Sequence, residues 1–350
     1  MAEAEQALAA GADTSPPART RARRPQSLIE IIPHQLDLLR RYHRAVLETD
    51  AVEAVHKMRV TTRRLQASLD LLEDQMNTRK LKRGLRRWRR ALSLVRNYDV
   101  FLELIEKESP VRGQARREQF QLVKATLQQQ RVRRAVKVRT FLEKINIDEV
   151  AFKLGLHPPA SGGPDSKPLE DRALTERTLG ENTTGLAAMD EQKVAGYAAN
   201  RLDQRLAEFQ ALVAQSHPTT DPTELHQLRI AAKRVRYLLE IVCQMGYGNA
   251  SRALSWLKAL QDRIGDWHDL EALEEEIIAI VSSREFMKQH LAESGRMLQA
   301  AAHLQKKKAG LAARLFPLRV PLHLAITSQR ISRALRRHAA RGQAPVQHTS

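Results

Sequence analysis

One eleven-residue stretch of this chain has a near-double far down the sequence. VHKMRVTTRRL, Val55–Leu65, returns as LHQLRIAAKRV, Leu225–Val235, 170 residues later. The same offset pairs His56 with His226, Arg59 with Arg229, Arg63 with Lys233 and Arg64 with Arg234. It holds beyond the stretch as well, setting Leu69 against Leu239 and Asp99 against Asp269. A single offset that serves several separated landmarks marks an internal duplication. It constrains the fold more than any other feature, because each half must then build the same order of elements.

Those elements read as helices. At about 100° per residue, Arg59 and Arg63 fall within about 60° of His56, while Met58, Leu65, Leu69 and Leu72 gather on the opposite side. The second copy repeats the division, with Arg229, Lys233 and Arg236 flanking His226 and with Leu228, Val235 and Leu239 opposite. Each copy therefore has an apolar back and a basic front. RKLKRGLRRWRR, Arg79–Arg90, is built alike: Leu81, Leu85, Trp88 and Leu92 form a stripe, and Arg79, Arg83, Arg86 and Arg90 lie away from it.

Apolar spacing of three and four residues runs from Ser27 to about Ile147, broken near Thr49–Asp50, Asn77–Thr78 and Ser109–Pro110. It resumes near Glu191 and reaches about Arg319, broken at His217–Pro222, Gly246–Gly248 and Ser282–Ser283. Each half thus predicts about four helices and almost no strand, so the fold class is all-α. The Pro- and Gly-rich GLHPPASGGPDSKP, Gly155–Pro168, is loop. The expected organisation is a disordered basic arm over 1–26 and a helical domain over 27–328. That domain divides into a first half 27–150, a linker 151–190 and a second half 191–328. A basic tail follows over 329–350.

The chain carries a formal net charge of +18. Charge of this size says little about fold but selects anionic partners: nucleic acid, an anionic membrane or inorganic polyphosphate. No run approaches the roughly 18 apolar residues of a membrane-spanning helix, and the N-terminus lacks the apolar core of a secretory signal. The single cysteine, Cys243, sits among Ile241, Val242 and Met245 and reads as an inert buried thiol; a cytoplasmic location is expected. A basic face opposite an apolar stripe is most often a solvated surface. Here the face occurs twice, carries few carboxylates at helical spacing to neutralise it, and holds a histidine at the same point each time. Those features point to anion binding. Arginine offers phosphate a planar fork of two hydrogen bonds, and histidine can donate from either ring nitrogen.

The candidate ligands are His56, Arg59, Arg63 and Arg64 of the first copy, and Arg83, Arg87 and Arg90 of the basic run. From the second half come His226, Arg229, Lys233, Arg234, Arg236 and Lys258. Neither a catalytic group nor a metal or other cofactor is expected. A metal-dependent phosphohydrolase on His56, His226, Asp99 and Asp269 is the weakest alternative, since surrounding cations disfavour a divalent ion and no HExxH or phosphate-loop motif occurs. Non-specific nucleic-acid binding is the stronger one, although no base-reading motif is present.

The two copies resemble the signature helices of the CHAD family, the conserved histidine α-helical domain. LSLVRNYDVFLEL, Leu92–Leu104, and LKALQDRIGDWHDLEAL, Leu257–Leu273, are similar to its companion element in each half. The resemblance implies two four-helix bundles related by a pseudo-two-fold axis. It also implies a basic central groove or pore for inorganic polyphosphate, no established catalysis, and association with polyphosphate or polyhydroxyalkanoate granules. The ExExK element of the triphosphate-tunnel domain that often precedes it does not occur, so a stand-alone module is expected. Two positions depart from the family pattern. Val95 replaces a glycine that Gly265 keeps, and Gln66 with Ala67 replace basic or aromatic residues that Arg236 and Tyr237 retain. The second half is accordingly expected to hold the more typical site. Asp99 and Asp269 are expected to pair with basic neighbours rather than touch ligand.

Overall fold

The computed structural model describes residues 24–49, 51–108, 114–156, 185–217, 222–315 and 318–341, and among them there is no strand. The first half contains α1 (Leu28–Thr49), α2 (Val52–Asp70), α3 (Arg79–Glu108), α4 (Gln114–Leu142) and the short α5 (Ile147–Lys153). The second contains α6 (Glu191–Gln215), α7 (Pro222–Gln244), α8 (Ser251–Val281), the short α9 (Arg284–Gln289), α10 (Leu291–Leu315) and α11 (Leu322–Arg341). The breaks expected near Asp50 and at Ser109–Pro110 fall between described helices, and the Pro/Gly-rich loop lies outside the described residues from 157 onward. So does the N-terminal arm up to residue 23. Gln26, at its end, donates from its backbone to the carbonyl of Gln244 at 2.9 Å.

Local chemistry sets several helix starts. Asp190 accepts from the amides of Gln192 and Lys193 at 2.9 and 3.2 Å, and Asn146 does the same for Asp148 and Glu149. Each satisfies two amides that the first turn leaves without helical partners. Pro222 opens α7, where its missing N–H costs nothing. Across the described ends of the linker, the Leu186 amide donates to the Leu154 carbonyl at 2.9 Å. Gly155 adopts φ +69° there, and a Cβ on it would lie 2.9 Å from Gly185 Cα, so only glycine fits.

The matched stretches fold alike in detail. From Val55 to Asp70 and from Leu225 to Glu240, burial class agrees position by position except where Ala67 faces Tyr237. Met58, Leu65 and Leu69 are fully enclosed, as are Leu228, Val235 and Leu239. α2 and α7 pack on each other. Arg64 Nε lies 3.4 Å from Glu240 of α7, and Asp70 of α2 acts in turn on Arg234. The 170-residue offset exchanges these two pairs, the reciprocity expected of a two-fold contact.

The apolar interior does not divide at the boundary between the halves. A large core runs from Leu28 through Leu92 and Leu142 to Leu202, Leu239 and Leu335. A second core draws Tyr98, Phe101 and Phe120 from the first half and Leu270, Leu273 and Met297 from the second. Polar contacts reinforce the joint: Gln75 exchanges two hydrogen bonds with the backbone of Asp190, at 2.7 and 3.0 Å. Glu73 takes one from Arg201 at 2.7 Å.

One expected boundary is corrected. The segment assigned to a tail from residue 329 belongs to α11, which continues to Arg341 and packs along α6. Leu324, Ile331 and Leu335 are buried there. Their spacing of seven and four residues makes a narrow apolar stripe inside a strongly basic sequence, and that stripe carries the helix into the core.

Candidate functional site

Four helices close a ring: α3 packs on α2, α2 on α7, α7 on α8, and α8 returns to α3. Inside it lies a cavity of about 880 Å³, flanked at one end by α6. α2 and α7 form its floor because their apolar backs must face the large core, which leaves their basic fronts toward the opening. His56, Arg59, Arg63, His226, Arg229, Lys233 and Arg234 all line it. The two signature helices thus face one space, and both histidines stand at its exposed rim.

Other expected ligands lie elsewhere. Arg64 and Arg236 both reach Glu240, each at 3.4 Å, and Arg236 also stacks on Tyr237 with its guanidinium 4.8 Å from the ring centre. Arg83, Arg87 and Arg90 are exposed on the outer face of α3, and Lys258 is exposed on α8; none of these lines the cavity. In their place α3 contributes Arg86, Arg89 and Arg96, and α6 contributes Arg201 and Arg205. Periodicity could have found Arg89, Ser93 and Arg96, which share one helix face between the apolar stripe and the outer arginines. Arg86 falls on the outward side by periodicity alone, yet it lines the cavity. Nothing in the repeat signals Arg201 or Arg205, since α1 supplies no counterpart. His268 on α8 is a third imidazole, its ring centre 5.3 Å from that of His226.

Ten Arg and Lys side chains line the cavity against four Asp. Arg59, Arg63, Arg86, Arg89, Arg229 and Lys233 have no carboxylate within 4.0 Å among the described residues. Hydrogen bonds hold some of them in place. Arg59 donates to Ser93 Oγ, and Arg89 donates to Gln66 Oε1 at 2.9 Å. The Arg229 guanidinium lies against Gly265, where an added Cβ would sit 3.5 Å from Nη2. Val95, at the equivalent place in α3, is buried in the core.

This crowding has an electrostatic cost. Burial, followed by the fields of Arg63, Arg229 and Arg59, pushes the Lys233 ammonium down to about 6. Burial and then Arg63 and Arg96 bring Arg59 down to about 9. Burial, then Arg229 and His226, lowers His268 to about 4, and His56 and His226 are lowered for the same two reasons, burial first and cationic neighbours next. An anion placed among these groups would reverse that strain, because opposite charge favours their protonated forms.

The two carboxylates matched by the 170-residue offset differ. Asp99 is buried and pairs with Arg131 at 2.6 Å, away from the cavity, as expected. Asp269 lines the cavity, and burial raises its pKa against the opposing pull of Arg229. His56, His226, Asp99 and Asp269 therefore do not converge. Among the described residues no group of three or more His, Cys, Asp and Glu is arranged to hold a metal ion. Nor is any helix there long and apolar enough to cross a membrane.

Helices from both halves around one cationic cavity define the class of molecule, an all-helical domain with a basic interior. The chain belongs to the CHAD family, whose domain model matches residues 30–277. The crystal structure of the CHAD domain from the plant Ricinus communis is similar, with a TM-score of 0.58 at 20% identity, covering 85% of this chain and 94% of that one. PptA from Streptomyces chartreusis is similar too, with a TM-score of 0.50 at 16% identity, covering 83% and 98%. At these identities the likeness is one of fold. No curated protein matches the chain.

Proposed function

We propose that this chain binds inorganic polyphosphate in the cavity between α2, α3, α7 and α8, as a non-catalytic module that carries the protein to polyphosphate or polyhydroxyalkanoate granules. The observation that supports this most is the convergence, from both halves, of half-buried cations without carboxylate partners. Such cations are costly in a folded protein unless an anion completes them. Polyphosphate has about one negative charge per unit and no bases, so a row of cations is sufficient to hold it. The low aromatic content, 4% of residues, agrees with a ligand that offers nothing to stack on.

By analogy with counterion release on nucleic acids, the logarithm of affinity for long-chain polyphosphate should fall linearly with the logarithm of salt concentration. Exchanging two phosphate contacts, in Arg59→Gln/Arg229→Gln, should reduce that slope by about 2. In competition, polyphosphate should displace a single-stranded oligonucleotide at far lower charge-equivalent concentration. Equal competition would identify a generic polyanion binder instead, and an unchanged salt slope in the double variant would place the site elsewhere.

A further inference from the structure

The two walls of the cavity carry opposite charge. The α3 wall presents Arg86, Arg89 and Arg96, whereas the α8 wall presents Asp262, Asp266 and Asp269. The 170-residue offset that preserves the floor sets Arg96 against Asp266, a reversal of sign at equivalent positions. None of the three α8 carboxylates has a cation within 4.0 Å among the described residues. They are not spent on ion pairs, and Asp262 and Asp266 are exposed at the mouth. Phosphate on the floor would be drawn to one wall and repelled by the other. Like charges brought face to face weaken an association, and such repulsion is a common means of fixing register.

The outer face of α3 continues the attractive wall. Arg83 and Arg90 lie about one turn to either side of Arg86, and Arg87 follows them around the helix; all are exposed without an ion pair among the described residues. They do not line the cavity, but helical spacing sets Arg83 and Arg90 next to Arg86, which does.

We propose that the polyphosphate track is one-sided. The chain lies against α3 inside the cavity and leaves over Arg83, Arg87 and Arg90, and Asp262, Asp266 and Asp269 hold it off α8 as positioning residues that work against binding. This rests on the polyphosphate reading above and reverses the expectation that the second half holds the more typical site. It assigns the outer arginines to long chains only, because a chain confined to the cavity does not reach them.

The test measures affinity for a short and a long polyphosphate at constant ionic strength in four proteins. These are the wild type, Asp262→Asn/Asp266→Asn, Arg83→Gln/Arg87→Gln/Arg90→Gln, and the net-charge control Asp148→Asn/Glu149→Gln on α5, which does not line the cavity. Removing the α8 carboxylates should tighten binding of both lengths about ten-fold, with the control gaining less than about two-fold. The outer-arginine variant should lose about ten-fold for the long chain and almost nothing for the short one. All three variants alter exposed side chains, and an unchanged thermal midpoint verifies that they fold. Weaker or unchanged binding in the α8 variant, or equal losses for both lengths in the arginine variant, would overturn the one-sided track while leaving polyphosphate binding intact. A wild type that binds neither length removes both.

Discussion

At the scale of single residues, Lys233 shows most clearly what the site costs. It stands near the centre of the floor, with a proton affinity lowered to about 6 by burial first and by Arg63 and Arg229 after it. In the unfolded chain the same ammonium stays protonated up to about 10.5. Between these two values the unfolded state binds more protons, so this residue's contribution to stability rises with pH across that window and is most unfavourable at its acid end. Lys233→Met should raise the stability of the free protein at pH 7 by on the order of 1–3 kcal/mol, read as an upward shift in thermal midpoint, while weakening polyphosphate binding. Binding by the wild type at pH 7.5 should take up protons, because the anion favours the charged form of a lysine that is mostly neutral before binding. Calorimetry in buffers of different ionisation enthalpy measures that uptake, which should shrink in the variant. Release of protons, or none exchanged, contradicts the assignment.

The sequence makes His56, Arg59 and Arg63 legible, together with their mates, because their spacing places them on one helix face and the repeat doubles the signal. Arg89 and Arg96 also line the cavity, and periodicity groups them on one helix face without saying that this face meets the cavity. Which face of α3 borders the cavity depends on how α3 leans on α2, and no local pattern encodes that. Lys82 makes the opposite point. It counts toward the basic run, yet it is 6% exposed and its Nζ is taken by Asp70, at 2.9 Å, and by Glu73.

At the scale of elements, helix limits were largely readable from breaks such as Asn77–Thr78 and Gly246–Gly248, where the periodicity stops and turn-forming residues collect. α11 escaped because seven of its twenty residues, from Leu322 to Arg341, are Arg or His and hide a stripe of three deep contacts. Those contacts make α11 part of the fold. Leu335 is wholly enclosed, so Leu335→Ala should cost about 2–5 kcal/mol of unfolding free energy, measurable by urea denaturation. A change below about 0.5 kcal/mol would mean that α11 rests on the surface of α6 as a dispensable extension.

At the scale of the whole molecule, the halves are distinct in sequence but not in packing. α2 packs on α7 with Arg64 paired to Glu240, and the second core takes its side chains from both halves, so neither half can bury its apolar surface alone. Thermal unfolding should therefore proceed as one transition by circular dichroism and by tryptophan fluorescence, with Trp88 in the first half and Trp256 and Trp267 in the second as reporters. Two separated midpoints would show that the halves fold independently. The repeated 170-residue offset foretold paired surfaces but not the reversal of charge between Arg96 and Asp266.

If both signature helices hold the same phosphate chain, the stoichiometry of binding must show it. Titration calorimetry with a polyphosphate short enough to lie within the cavity should give one chain per protein. Arg59→Gln and Arg229→Gln should each weaken that single event without changing its stoichiometry. Two chains per protein in the wild type, with one lost and the other unaffected in each variant, would mean that each half binds separately.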